Sequence, residues 1–185
     1  MKAERLAIPD VILVEPPRFG DARGWFSETF SVRAAAAAGL PDTFRQDNQS
    51  FSAQRGTLRG LHCQIGDHAQ GKLVRVLRGE IWDVAVDIRR GSPSYGHHVA
   101  AELSAENGQQ LFVPVGFLHG FVTLQPDTEV FYKVTADYDR AAERGVVWND
   151  PDLALPWPLP EGGATLSEKD AKLPRLAECD TWFRT

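Results

Sequence analysis

Short apolar stretches follow one another along the chain, with polar or turn-forming residues between them. Residues 72–78 carry Leu73, Val74, Val76 and Leu77 and stop at Gly79-Glu80. Residues 81–88 follow and break at Arg89-Arg-Gly-Ser-Pro93. Stretches 97–103, 110–113, 120–125 and 129–138 continue the series. Val, Ile, Phe, Trp and Tyr enrich these runs, and Gly, Pro, Asn, Asp and Ser punctuate them at intervals of roughly 8–12 residues, the pattern of an all-β sandwich or barrel. One helix is predicted over residues 32–38, with Ser31 as N-cap and Gly39 as C′; the alanine run 34–38 favours it. Further on, Pro151, Pro156, Pro158 and Pro160 exclude regular central strands. Ser167-Glu-Lys-Asp170 then reads as a capped helical turn. No repeat, low-complexity tract or linker interrupts the pattern. The expectation is a single domain over residues 1–185, with a barrel core over about 45–140 and a decorated C-terminal segment over 149–185.

Composition narrows the class without changing that picture. A chain of 185 residues, 43% hydrophobic and 24% charged, suits one soluble globular domain with a substantial core. A net charge of -5 disfavours nonspecific nucleic-acid binding and leaves room for a local basic pocket for phosphate. No apolar run approaches the ~20 residues of a membrane span. Residues 1–9 lack the apolar centre of a signal peptide. Cys63 and Cys179, two cysteines in a chain of this size, point to reduced thiols and a cytoplasmic protein.

Candidate chemistry begins with a spacing. Five residues separate Gly56 from His62, five separate Gly108 from Pro114, and Gly116 and His119 follow. This pairing resembles the two motifs of a cupin, a small antiparallel barrel. Metal-binding cupins carry His-x-His and a Glu in the first motif and one more His in the second. Here Gln64 stands at the second His, and Lys72 falls close to the Glu. A fixed ammonium opposes a divalent cation, and two imidazoles fall short of the three or four ligands such a site needs. The expectation is therefore no metal, and a pocket turned to proton chemistry. Histidine, with an ordinary pKa of about 6.5, takes and gives protons near neutral pH. Lys72 opens a strand whose alternate residues face inward, where an ammonium stabilises a developing oxyanion. Tyr132 shares a strand face with Val130 and Val134, and a phenol there can return a proton. Base, acid and cation together fit proton abstraction beside a carbonyl followed by reprotonation.

Each residue also has a plainer reading: His119 as a core histidine, Tyr132 as packing, Lys72 as a solvated strand end, Asp170 as part of a helix cap. Their joint occurrence in motif order outweighs those readings. His68, His97 and His98 have no motif around them and read as surface residues. Cys63 reads as a buried structural thiol, and Trp148, Trp157 and Phe183 as packing.

The motifs reach further. Phe19-Gly-Asp-Ala-Arg-Gly, Gln46-Asp-Asn-Gln-Ser, Leu58-Arg-Gly-Leu-His-Cys-Gln and Gln70-Gly-Lys-Leu-Val-Arg closely resemble the dTDP-4-dehydrorhamnose 3,5-epimerase family. So do Val84-Ala-Val-Asp-Ile-Arg, Val113-Pro-Val-Gly-Phe-Leu-His-Gly-Phe, Trp148-Asn-Asp and Leu166-Ser-Glu-Lys-Asp. They run in family order from about Ile8 to about Pro174. The resemblance implies an all-β, cupin-type jelly-roll barrel of antiparallel strands with short peripheral helices. It implies an isomerase that inverts C3 and C5 of dTDP-4-dehydro-6-deoxy-D-glucose, giving dTDP-4-dehydro-L-rhamnose for rhamnose biosynthesis, with no metal or organic cofactor. His62 matches the family's general base, Asp170 its supporting carboxylate, Tyr132 the general acid and Lys72 the cation near the C4 oxygen. Arg23, Arg59 and Lys169 match residues near the diphosphate. Gln46, Asp47, Asn48 and Glu28 match the thymidine or sugar site, Phe19, Phe26 and Tyr138 the aromatic surface for the base, and His119 and Glu143 complete the pocket.

The family is homodimeric, and its N-terminal segment enters the partner's site, so Arg23 and Glu28 are expected to act across the interface. One departure stands out: Ala-Asp-Tyr138-Asp replaces the family's Tyr-Tyr or Asp-Tyr-Tyr run at the base-stacking wall. Three alternatives rank behind this reading. They are a single-position C3 or C5 epimerase of a related sugar, a metal cupin oxygenase using His62 and His119, and a non-catalytic sugar-nucleotide binding module.

Overall fold

The computed structural model describes residues 1–185. Its strands, in chain order, are β1 (Lys2–Arg5), β2 (Ile12–Glu15), β3 (Phe19–Asp21), β4 (Gly24–Phe26), β5 (Gln46–Ser52), β6 (Leu58–Gln64), β7 (Lys72–Arg78) and β8 (Glu80–Asp87). They continue with β9 (Arg89–Arg90), β10 (His98–Ser104), β11 (Gln110–Val113), β12 (Phe117–Thr123), β13 (Thr128–Val134), β14 (Glu143–Gly145) and β15 (Phe183–Arg184). The one α-helix, α1, spans Val32–Ala37. Two antiparallel sheets carry the architecture. One runs β1-β2-β11-β7-β13-β5, the other β10-β8-β12-β6-β14. Packed face to face, they make the all-β, cupin-type jelly roll.

Strand alternation decides what lies between the sheets. Val74 and Val76 of β7, Leu111 and Val113 of β11 and Val130 of β13 meet Ile81 and Ala85 of β8 and Phe117 and Phe121 of β12 in one buried cluster. The alternate residues point outward and are covered by other segments. Leu73 and Phe112 pack with Ala35 and Leu40 around α1. Leu61, Cys63, Val84, Val86 and Leu118 pack under the C-terminal segment, with Trp157, Leu176 and Phe183 above them. Trp157 stacks edge-on against Trp82 at 5.0 Å and donates Nε1–H to the Trp148 carbonyl. The proline-rich segment therefore covers a sheet face without adding a central strand. No helix is long and apolar enough to cross a membrane.

The observed elements differ from the pattern-based ones at definite places. Helix α1 ends at Ala37, with Ser31 Oγ accepting from the Ala34 N–H and Gly39 at φ +76°. Strand β12 starts at Phe117, three residues before the apparent break at Gly120, because Gly120 lies inside the ladder. A side chain there would come within 3.0 Å of the Arg59 carbonyl and of Leu61. Strand β13 stops at Val134, so Tyr138 stands in the following loop, its N–H held by the Gln46 side chain. The hydrophobic pattern passes over β5 entirely, because Phe51 is the one apolar residue in Gln46–Ser52 and a single position sets no period.

Candidate active site

A cavity of about 430 Å³ opens between the sheets, joined to a smaller lobe of about 100 Å³. His62, Lys72 and Tyr132 line both. His62 comes from β6 in the five-stranded sheet; Lys72 and Tyr132 come from β7 and β13 in the six-stranded sheet. The imidazole and the phenol thus reach the cavity from opposite walls.

A bulge in β6 sets the imidazole. Opposite β12, His62 pairs with His119 and Arg59 with Phe121, so β6 carries one residue more than its partner over this step. The extra residue brings Arg59 and His62, three apart, to the same cavity, where strict alternation would oppose them. Gly60 makes the bulge possible. Its φ is +119°, and a Cβ would lie 2.7 Å from both the Gly120 Cα and the His119 carbonyl oxygen. Its N–H donates at 3.4 Å to Asp170 Oδ2, while Asp170 Oδ1 accepts from His62 Nε2 at 2.8 Å.

Asp170 comes from the far end of the chain. Backbone bonds between Thr165 and both Gly56 and Leu58 lay that segment beside β6, and Ser167 Oγ accepts from the Asp170 N–H at 3.1 Å. Burial pushes the Asp170 carboxyl up, but the His62 hydrogen bond and charge outweigh it and hold the group below its ordinary value. Donation to the carboxylate leaves Nδ1 as the basic nitrogen of His62.

The other ionisable groups are tuned by burial and by one another. Burial pulls the Lys72 ammonium below the usual lysine range, against the Cys63, Asp83 and Glu143 groups nearby. Burial lifts the Tyr132 phenol, which the Arg59 charge opposes. Arg59 donates to the Phe51 carbonyl at 3.0 Å. His119 Nε2 reaches Asp83 Oδ1 at 2.9 Å, a second imidazole–carboxylate pair on the same cavity wall. In the smaller lobe, Glu143 Oε1 accepts at 2.6 Å from Nζ of Lys169, which lines the larger cavity, and Glu143 Oε2 accepts from the Tyr138 hydroxyl at 3.1 Å. Gln46 and Asn48 line the same lobe. Gln64, at the place of a metal cupin's second histidine, accepts from the Asp139 N–H instead. Burial pushes the Cys63 thiol up to about 12, on the opposite side of β6 from His62.

Eleven of the residues singled out in the sequence therefore share these lobes: His62, Tyr132, Asp170, Lys72, Gln46, Asn48, Arg59, His119, Tyr138, Glu143 and Lys169. Five do not. Asp47 sits between two inward residues of β5, so alternation turns it outward, where it accepts from Lys133 Nζ at 2.8 Å. Phe19, Arg23, Phe26 and Glu28 lie away from the cavity of their own chain. Strands β3 and β4 pair only with each other, Phe19 and Phe26 are 62% and 69% exposed, Arg23 pairs with Asp21, and Glu28 accepts from Ser31. Two residues escape the sequence reading. Asp83 alternates with Ile81 and Ala85 on the inward face of β8, so a charge at a core position was its visible signal. Ser50 faces the cavity from β5, and its hydroxyl is the one buried side-chain polar atom without a partner.

Comparison with known proteins agrees in extent and fold. A model of the dTDP-4-dehydrorhamnose 3,5-epimerase family matches residues 5–178. The dTDP-4-dehydrorhamnose 3,5-epimerase of Pseudomonas aeruginosa is 55% identical over 181 residues, 97% of this chain and 98% of that protein. The dTDP-6-deoxy-D-glucose-3,5-epimerase of Legionella pneumophila, crystallised with dTDP-4-keto-L-rhamnose, superposes with a TM-score of 0.94 at 43% identity, covering 100% of this chain and 98% of that one. A 3'-monoepimerase of Streptomyces bikiniensis in complex with dTDP-quinovose reaches 0.87 at 32% identity, over 94% of this chain and 87% of that one. The match is continuous, nearly full-length and carried by sequence as well as fold. The chain belongs to the dTDP-4-dehydrorhamnose 3,5-epimerase family.

Proposed function

We propose that this chain is an isomerase converting dTDP-4-dehydro-6-deoxy-D-glucose to dTDP-4-dehydro-L-rhamnose, inverting C3 and C5 by proton transfer in the cytoplasm. The observation that carries the mechanism is the facing of His62 and Tyr132 from opposite sheets. A proton α to a ketone is acidic only because its charge passes into the carbonyl oxygen. His62, held by Asp170, takes that proton through Nδ1. Lys72 meets the charge that develops on the C4 oxygen, a fixed cation in a buried site. Tyr132 returns a proton from the other wall, and delivery to the opposite face of the enolate inverts the carbon. C3 and C5 flank the same ketone, so one base, one acid and one cation serve both. Arg59 and Lys169 supply charge for the diphosphate, and the exposed Tyr138 ring is the surface for the base.

The test is incubation of the sugar nucleotide in D2O, with label located by NMR. Deuterium at both C3 and C5 is expected. Label at one carbon alone would reassign the chain to single-position epimerisation, and none, with substrate bound, would leave a binding module.

The β3–β4 hairpin completes the proposal. Phe19, Trp25 and Phe26 leave an apolar surface in the open, and Arg23 stands beside them. We assign this hairpin to the cavity of a second copy, in a homodimer that exchanges N-terminal segments. Arg23→Ala and His62→Gln chains, each expected to be nearly inactive alone, should recover activity when mixed and allowed to exchange subunits. One site of the mixed dimer then holds an intact His62 with the partner's intact Arg23. Mixed dimers without recovery would place Arg23 outside the partner's site.

A further inference from the structure

The carboxylate that holds His62 stands on a strap, residues 165–176, which contains only short 3-10 turns. The strap's upstream end is tied to the barrel by the Thr165 backbone bonds to Gly56 and Leu58. One tie would leave the strap free to swing, and the 2.8 Å contact between Asp170 and His62 demands a second. The downstream end supplies it. The Val147 N–H donates to the Pro174 carbonyl at 2.8 Å, and the Leu176 N–H donates to Asp150 Oδ2 at 2.7 Å. Asp150 closes the Trp148-Asn-Asp motif, is only 1% exposed, and accepts from the Asp152 N–H at 2.9 Å through its other oxygen. Between the ties, Leu173 lies on Gly145, where a Cβ would come within 2.9 Å of both leucine methyls. Gly145 pairs with His62 in the β14–β6 ladder, and Val146 exchanges backbone bonds with Leu61. The connections close into a ring: from His62 across to β14, along the chain to Asp150, across to Leu176, and back along the strap to Asp170.

We propose that Asp150 is a positioning residue for proton transfer: through Leu176 it fixes the strap, so that Asp170 meets His62 Nε2 and Nδ1 faces the substrate. This rests on the epimerase reading of the site. Asp150 lines neither lobe of the cavity, so it acts through Asp170 and not on the ligand. Its charge state matters because both oxygens face N–H donors. An asparagine amide would satisfy one of them and turn its NH2 against the other. The strap then loses its downstream side-chain tie, and a shift of about 1 Å at a reacting group is worth up to 10^2-fold in rate.

Two variants break the same bond from its two sides. Asp150→Asn removes the acceptor. Leu176→Pro removes the donor at a position made for proline, the first residue of a 3-10 turn preceded by Arg175 at ψ 154°. Each should lower kcat on dTDP-4-dehydro-6-deoxy-D-glucose by roughly 10- to 100-fold, with dTDP affinity changed less than about three-fold. If Asp150→Asn does not fold, Leu176→Pro carries the comparison. In an Asp170→Asn background each substitution should cost less than about three-fold further, because the residue through which Asp150 acts is already gone. In a Lys169→Ala background, which alters the same strap at its pair with Glu143, the full cost should remain. Losses that multiply with Asp170→Asn, or a kcat near wild type in a variant whose melting temperature falls, would leave Asp150 a merely structural role. A cost that vanishes in Lys169→Ala would mean that the tie serves that lysine and not the base; each of these results overturns the proposal. Wild-type protein that fails to turn over dTDP-4-dehydro-6-deoxy-D-glucose would instead overturn the reading beneath it, and the proposal with it.

Discussion

His62→Gln is expected to lower kcat by on the order of 10^3- to 10^4-fold, the upper range for loss of a general base. Glutamine is the informative replacement. Its Nε2 can occupy the place of the imidazole Nε2 and donate to Asp170, so the buried carboxylate keeps its partner and the strap that carries it stays in place. What disappears is the basic nitrogen. Affinity for dTDP should change by less than about three-fold, because a base does its work as the proton leaves and not in the ground state. Deuterium exchange at C3 and C5 should stop together. Exchange that persists at one carbon would show a second base, with His119 and its Asp83 partner the nearest candidate on that wall. Turnover above a tenth of the wild-type value would remove His62 from the role.

How much of this was readable beforehand depends on the kind of signal each element carries. Strands β7, β8, β10 and β11 begin or end within about a residue of the apolar pattern, since burial on the inner face imposes period two. Strand β5 was invisible to the same rule. Its inward residues line a polar cavity, and the strand's one apolar residue, Phe51, stands on the outward face, so no hydrophobic period appears. That blindness also explains Asp47: a motif names three consecutive residues, but a strand brings only alternate ones to a face. The β6 bulge is the converse case, where Arg59 and His62 face together only because Gly60 adds a residue. Asp170 lies 108 positions from His62, and no local pattern joins them; only family order in the sequence suggested their pairing. The hairpin residues Phe19, Arg23, Phe26 and Glu28 mark a further boundary, because a motif does not say in which copy of the chain its residues act.

Tyr132→Phe should separate proton exchange from inversion. His62 can still form the enolate against Lys72, and it can still return a proton to the face from which it took one. Exchange with retention therefore survives, while epimerisation, which needs a donor on the opposite wall, falls by roughly 10^2- to 10^3-fold. The ratio of exchange to epimerisation should rise by an order of magnitude or more. If both fall equally, Tyr132 acts before or during enolate formation, and the two-wall mechanism is wrong. The pH dependence supplies an independent check. Burial holds Tyr132 above the ordinary phenol value of about 10 and holds Lys72 below the ordinary lysine value of about 10.4. An acid works while protonated, so raising its pKa moves its loss to higher pH; lowering the pKa of Lys72 moves the loss of its charge to lower pH. As pH rises, neutralisation of Lys72 takes the cation from the enolate, whereas deprotonation of the phenol takes only the returning proton. The alkaline fall in exchange should consequently survive in Tyr132→Phe and disappear in Lys72→Arg, whose guanidinium keeps its charge across that range.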